Sequence, residues 1–252
     1  MYENHSTFEI SHDGSTKIWR YIDFTKFVSM LDKKSLFFCR SDRLSDSFEG
    51  STTKANIKSR QEMFRQHEDY IDDILQRHSE SCREYRNKVN VNCWHINNYE
   101  SAAMWKLYLK SNEGIAIQTT INRLKESFKN TSKPVFIGEV KYIDYDNDHI
   151  PENNIIYSYL HKRKSFEYEQ ELRVIYPFMD LVGPDENGVL FSYAKIDEMG
   201  YYIEVDLDIL IDKIFVSPVA PEWFCDLVKS ILEMYHINKE VVRSNLAKDP
   251  IY

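Results

Sequence analysis

The sequence has little of the material that makes flexible linkers. Only seven glycines and seven prolines occur among 252 residues, so a break between two domains has no obvious location. We therefore expect one domain over residues 1–252, although the length alone also permits two. The chain is 42% hydrophobic and 29% charged, a composition typical of a globular protein with a sizeable core.

Cysteine is also sparse. Cys39, Cys82, Cys93 and Cys225 are too widely separated for a zinc site or for a dense disulfide framework. They are predicted to be reduced and mostly buried. Cys93 and His95 lie two residues apart in an alternating segment, which predicts one strand face rather than a catalytic dyad.

Long apolar runs and leader patterns are missing as well. No stretch approaches the length needed to cross a bilayer, and Met1–His5 is polar, so we expect a cytoplasmic protein without a membrane partner. The net charge of -8 disfavours a protein that coats nucleic acid through its overall field, although a local basic patch at His161–Lys164 stays open. No glycine-rich phosphate loop, metal-ligand helix or nucleophile elbow is present.

The alternation of strand and helix patterns predicts a mixed α+β fold, with a mainly antiparallel sheet and flanking helices. A polar, charged segment at about 53–88 is predicted to be an exposed helical insertion. Strands are predicted at 18–21, 36–40, 89–96, 115–118, 135–145, 172–176, 201–205 and 213–216. Helices are predicted at 24–31, after Ser101, from about 121, at 152–164 and at 222–235, and 183–188 is turn-rich.

The segment Phe166–Tyr176 is the strongest functional candidate. If it is extended, Glu169, Glu171 and Arg173 share one face, and the two carboxylates lie roughly 7 Å apart, too far to share a proton. That arrangement suits a reaction in which one carboxylate stabilises positive charge on a sugar and the other orients a nucleophile. The same alternation is typical of a half-buried edge strand in which Arg173 neutralises Glu171.

Aromatic residues surround a second candidate. Arg20 follows Trp19 and precedes Tyr21, so its guanidinium has the surroundings to bind phosphate oxygens while a ring stacks on a base. A structural ion pair is equally compatible with this position. Further rings that are candidates for a binding cleft, or for the core, are those of Trp94, Trp105 and Tyr108.

Two acidic motifs remain. Asp46 and Glu49 lie in a loop, where they either act in a site or cap a helix. Glu139 and Lys141 match the Glu-x-Lys part of metal-dependent nuclease sites, a pattern that arises by chance in many proteins.

Taken in their order along the chain, these motifs resemble those of the bacterial domain-of-unknown-function 2971 family, and the resemblance spans most of the chain. The Ser45-Asp46-Ser47-Phe48-Glu49 loop departs from the family pattern by having serines where Asn and Pro are usual. The other matching pieces are Trp19-Arg20-Tyr21, Met104-Trp105 with Tyr108 and Gly114, Val140-Lys141-Tyr142, Lys164, and Tyr168-Glu169-Gln170-Glu171-Leu172-Arg173.

An arginine on an early strand followed by a late Glu-x-Glu is also similar to the ADP-ribosyltransferase superfamily. The resemblance implies that NAD is the substrate, that Arg20 holds its phosphates or ribose, that Glu171 bonds the nicotinamide ribose and that Glu169 orients the acceptor. Ser101 is the candidate for the superfamily's middle serine. The implied acceptor is a protein or nucleic acid, and the implied role is that of a toxin or antiphage effector with an antitoxin partner. A non-catalytic nucleotide- or partner-binding module and a metal-dependent nuclease are the alternatives.

Overall fold

A large, mainly antiparallel β-sheet organises the structure, a computed structural model that describes residue 2 and residues 8–65, 68–177 and 199–251. The turn-rich segment at 183–188 lies outside the described residues. The strands are β1 Lys17–Asp23, β2 Ser35–Arg40, β3 Val89–Ile96, β4 Gly114–Thr120, β5 Phe136–Glu139, β6 Lys141–Ile143, β7 His161–Arg163, β8 Glu171–Pro177, β9 Gly200–Glu204, β10 Lys213–Val216 and β11 Glu240–Arg243.

Helices cover the sheet on both sides. They are α1 Phe24–Lys33, α2 Lys54–Met63, α3 Glu68–Arg86, α4 Ala102–Tyr108, α5 Ile121–Ser127, α6 Leu207–Leu210 and α7 Glu222–Met234, with 3-10 turns at 41–43, 155–160, 164–169 and 245–247. The predicted mixed α+β fold is therefore confirmed. No helix in these ranges is long and apolar enough to span a membrane.

Local sequence explains several element boundaries. Helix α1 buries Phe27, Met30 and Leu31, which recur at helical spacing, and it ends where Lys34 adopts a left-handed conformation. Helix α4 begins as predicted, because the Ser101 side chain accepts a hydrogen bond from the backbone N–H of Met104.

The main core lies between one face of the sheet and the helices α1, α5, α6 and α7, where Phe27, Leu124, Leu210 and Phe224 are buried together. A smaller cluster on the other face packs Trp105 of α4 against β1 and β4. These two layers cover the central strands on both faces, and the candidate site lies among those strands.

Strand β3 is where the sheet divides. One edge of β3 pairs with β8 continuously from Val89 to His95. The opposite edge pairs with β2 at Asn90 and Val91 and with β1 at His95 and Ile96. The middle of that edge has no ladder partner among the described strands, so a notch opens between β1 and β2.

The prediction that Phe166–Tyr176 is extended throughout was wrong. Residues 164–169 form a 3-10 turn, Gln170 adopts a left-handed conformation, and β8 begins only at Glu171. A fully extended chain would separate the carboxylates of Glu169 and Glu171, whereas the turn lets both contact one ammonium group, that of Lys162. Strand β8 is also internal rather than an edge, since it pairs with both β3 and β5.

Two further expectations needed revision. The predicted helix at 152–164 is a 3-10 turn at 155–160 followed by β7, because β7 pairs with β6 and tertiary pairing overrides local preference. The segment at 53–88 contains α2 and α3, but α2 is not simply exposed. Its Asn56 is buried and exchanges two hydrogen bonds with the backbone of Ile150.

Candidate active site

A cavity of about 520 Å³ occupies the notch between β1, β2 and β3. Its volume falls in the range of small-molecule and cofactor sites. Rings of Trp19, Tyr21 and Phe37 line it, and its charged lining includes Arg20 on one strand and Glu171 on another. The notch thus joins apolar walls to a few polar groups of opposite charge.

Arg20 contributes an unused set of donors to this cavity. Its guanidinium donates one hydrogen bond from Nη1 to the backbone O of Cys93, at 2.7 Å, and lies over the ring of Trp94 at 5.9 Å. No carboxylate among the described residues pairs with it. Burial lowers the pKa of Arg20, because its charge is desolvated without a counter-charge. Guanidinium has five N–H donors, so most remain free for an anionic ligand.

The facing wall holds two carboxylates on one lysine. Lys162 Nζ donates to Glu169 Oε2 at 2.7 Å and to Glu171 Oε1 at 2.8 Å. All three side chains are buried, and both glutamates line the cavity. The expectation that these carboxylates lie too far apart to share a proton was therefore wrong, because the turn at 164–169 brings them together.

Behind them lies Arg173, only 1% exposed. Its Nε donates to Glu171 Oε2 at 2.5 Å, while Nη1 and Nη2 form a fork with Glu49 at 2.5 and 2.8 Å. Nη1 also donates to the backbone O of Tyr159. The interpretation that Arg173 neutralises Glu171 is confirmed, and the bidentate geometry is that of a strong buried ion pair.

The two glutamates have opposite protonation tendencies. Burial and the neighbouring Glu171 carboxylate raise the pKa of Glu169 to about 7. Arg173 and Lys162 hold the pKa of Glu171 well below its usual range despite its burial. Hence Glu171 stays ionised at neutral pH, whereas Glu169 exchanges a proton there, the property required of a general acid or base.

Three neighbours fix the position of this pair. The backbone N–H of Glu171 donates to Tyr142 Oη at 2.8 Å, and Tyr108 Oη donates to Glu169 Oε2 at 3.4 Å. His95 Nδ1 donates to the backbone O of Glu169 at 2.6 Å, and burial lowers the pKa of this histidine, so its ring is neutral at pH 7. These three side chains come from three different segments, and that of Tyr108 contacts a carboxylate directly.

The cavity brings together some of the predicted binding residues. Arg20, Tyr21, Trp94 and Tyr108 line it together with both glutamates. Two others lie behind this lining and support it. The Ser101 N–H donates to Tyr21 Oη at 2.8 Å, and the Trp105 ring packs edge-on against Tyr21 at 5.0 Å.

Cys93 and His95 also line the cavity from the same strand face, as their spacing predicts. Burial raises the pKa of the Cys93 thiol to about 12, so it is not a thiolate at neutral pH. The four cysteines carry free thiols.

The remaining acidic motifs have structural partners. Asp46 binds Arg163 through two contacts and accepts a hydrogen bond from the Phe48 N–H. Glu139 accepts from Ser11 and His12, whereas Lys141 pairs with Glu9, so Glu139 and Lys141 do not converge. Neither belongs to the described lining of the cavity.

Sequence reasoning missed Lys162, Tyr142 and His95 as parts of this site. Lys162 belongs to a basic run, which normally indicates a solvated face, and His95 was interpreted only as a residue of a strand. Tyr142 carried a usable signal, because it belongs to the Val-x-Tyr motif that precedes the Glu-x-Glu segment. Its contact with Glu171 gives that motif a physical reason.

The fold and site define an α+β protein with a cavity that is lined by an arginine and by two carboxylates. Residues 104–174 match the family model described as "Protein of unknown function (DUF2971)", which confirms the resemblance over that segment. The structure of DarT from Thermus sp. 2.9 in complex with carba-NAD+ is similar at a TM-score of 0.41 and 8% identity, covering 93% of this chain and 98% of that one. No curated protein sequence matches the chain.

Proposed function

We propose that the protein transfers ADP-ribose from NAD to a macromolecular acceptor. One observation carries the proposal: Arg20 and the Glu169–Glu171 pair, separated by about 150 residues of chain, line the same cavity. The unpaired guanidinium suits a pyrophosphate, and the aromatic walls suit the flat rings of a dinucleotide.

The carboxylates suit the chemistry of glycosidic bond cleavage. As nicotinamide leaves with the electron pair of the bond, C1′ of the ribose gains oxocarbenium character, and the ionised Glu171 stabilises that charge in the transition state. Both Glu171 oxygens already accept one donor each, and each keeps a lone pair for a ribose hydroxyl. An acceptor O–H or N–H then bonds to C1′ and yields its proton to the Glu169 carboxylate.

Binding without turnover is the alternative function. It is favoured by the ion pairs of both Glu171 oxygens, one with Lys162 and one with Arg173, a pattern that a purely structural carboxylate also shows. A toxin or antiphage effector with an antitoxin partner remains part of our proposal only as the context in which such a transferase would act.

The test is release of nicotinamide from NAD, together with thermal protection by NAD. We expect the wild type to release nicotinamide and to melt at a higher temperature with NAD. Glu171→Gln is expected to lower turnover by at least about 10²-fold, because the transition-state charge loses its counter-ion. A folded Glu171→Gln protein with full turnover would refute the assigned role.

Two further measurements complete the design. Glu240→Gln, on the edge strand β11 far from the cavity in the fold, is the matched control and should leave turnover unchanged. Protection by NAD without nicotinamide release, in the presence of candidate protein and nucleic acid acceptors, would favour the binding module. No protection and no release would contradict both readings.

A further inference from the structure

Lys162 contacts the two cavity carboxylates from behind, and Glu49 contacts Lys162. Lys162 Nζ bonds Glu169 and Glu171 and also lies 3.4 Å from Glu49 Oε1. The lining of the cavity, as far as the structure describes it, includes Glu169 and Glu171 but neither Lys162 nor Glu49. Both are at most 5% exposed, so their effect on a ligand has to act through the glutamates.

The buried cluster around Lys162 contains more acidic than basic side chains. The cluster contains three carboxylates, Glu49, Glu169 and Glu171, but only two cations, Lys162 and Arg173. Arg173 is saturated by Glu49 and Glu171, so Lys162 alone compensates Glu169 and divides its charge among three partners. An excess negative charge in a buried cluster is relieved by one bound proton.

The proton belongs on Glu169 for geometric reasons. The other groups that face Glu169 are the Tyr108 hydroxyl at 3.4 Å and His95, whose bond goes to its backbone oxygen. The Phe166 ring covers Lys162 at 4.7 Å, and Arg20 lies elsewhere in the cavity lining. Of the three carboxylates, Glu169 alone lines the cavity without a guanidinium partner.

We propose that Lys162 and Glu49 are positioning residues: Lys162 holds Glu169 beside Glu171, and Glu49 competes for the same ammonium so that Glu169 can bind and release a proton. In the transfer reaction this device keeps Glu169 ready to take the acceptor's proton, and in that respect it rests on the proposed function. The proton equilibrium itself exists without a substrate.

The two residues carry opposite charges, so their removal has opposite consequences. Lys162→Met removes the cation that favours ionised Glu169, and Glu169 should titrate at a pH higher by about one unit or more. Glu49→Gln removes a competing anion of nearly the same shape, and Glu169 should titrate at a lower pH. Damage to packing alone has no reason to produce shifts of opposite sign.

The experiment is a carboxyl-carbon NMR titration of the full-length protein labelled at glutamate, with Glu169→Gln identifying the signal. Opposite shifts in Lys162→Met and Glu49→Gln support the proposal. Unchanged titration in both, or shifts in the same direction, overturns it. If Lys162→Met does not fold, Glu49→Gln alone tests the proposal, since only a titration of Glu169 at lower pH in that variant agrees with it.

Controls separate this idea from the proposed transferase activity. Lys162→Arg retains the charge, so Glu169 should titrate at nearly the same pH as in the wild type. Lys213→Met removes an exposed ion pair at the sheet edge and should leave the titration of Glu169 unchanged. Where NAD turnover exists, its acid limb should move in the same directions as the NMR titration. Expected NMR shifts without any NAD turnover would reject the transferase and retain the positioning role, whereas turnover with an immobile Glu169 signal would do the reverse.

Discussion

Arg20 and Arg173 occupy comparable places on either side of β3, yet they have opposite surroundings. Arg173 pairs in register with Cys93 and donates to two carboxylates and a backbone carbonyl. Arg20 reaches the same residue from the other edge and donates only to its carbonyl oxygen. One guanidinium is saturated by the protein, and the other has donors to spare.

The difference shows which buried charge belongs to the fold and which is available to a ligand. A buried cation with a complete set of acceptors has its desolvation offset within the protein. A cation that faces a cavity and has one acceptor obtains its remaining hydrogen-bond acceptors from a ligand that enters the cavity. Sequence alone favoured neither assignment, because an arginine beside glutamates and an arginine beside aromatics are compatible with both roles.

Arg173→Met should produce the largest effect. The change leaves Glu49 and Glu171 buried beside one lysine, and removal of one partner from a buried ion pair typically costs about 3–5 kcal/mol. Urea unfolding monitored by circular dichroism measures this loss. Complete absence of a cooperative transition would agree with the expectation, whereas a loss within about 1 kcal/mol would show that Arg173 is not structural.

Much of the fold was predictable because its signals are local. Alternation predicted β3, helical spacing predicted α1, and Ser101 predicted the start of α4. The edge strand β11 was missed, since only its parallel pairing with β10 makes its short sequence a strand. Strand β7 was missed for the same reason, because it depends on a contact with β6.

The site was only partly predictable. The ion pair of Glu171 and Arg173 was anticipated. The distance between the carboxylates of Glu169 and Glu171 was not, because it depends on the turn before Gln170, which no local sequence pattern predicts. Lys162 binds glutamates seven and nine residues away along the chain, as well as Glu49 from a distant loop. Such convergence follows from tertiary packing, which the spacing of residues in one segment cannot reveal.

Glu169→Gln should have the next largest effect, visible as a change in the pH dependence of stability. Folded Glu169 keeps its proton up to about pH 7, whereas the unfolded side chain loses it near the ordinary value of 4.5. Between these values the folded state binds more protons, so the free energy of unfolding falls as the pH rises. Relative to the variant, the wild type should lose about 2 kcal/mol between pH 5 and pH 8.

Denaturant unfolding of both proteins at pH 5, 6, 7 and 8 measures this difference. The three histidines with lowered pKa values act in the opposite direction over part of this window, but they are common to both proteins and cancel. Parallel stability curves for wild type and variant would show that Glu169 titrates at its ordinary value. That outcome would contradict the assignment of Glu169 as the group that takes the acceptor's proton.

Arg20→Met should have the smallest effect on the stability of the fold, but it should abolish the effect of the ligand. The variant retains much of the apolar stem and loses one hydrogen bond, so the free energy of unfolding should fall by only about 1 kcal/mol. Thermal protection by NAD should nevertheless disappear, because in the proposed function the free guanidinium donors bind the phosphates. Arg20→Lys retains the charge but not the planar fork, and it should recover part of the protection at most. If Arg20→Met unfolds the protein as severely as Arg173→Met does, the two arginines are both structural and the cavity loses its anion-binding group.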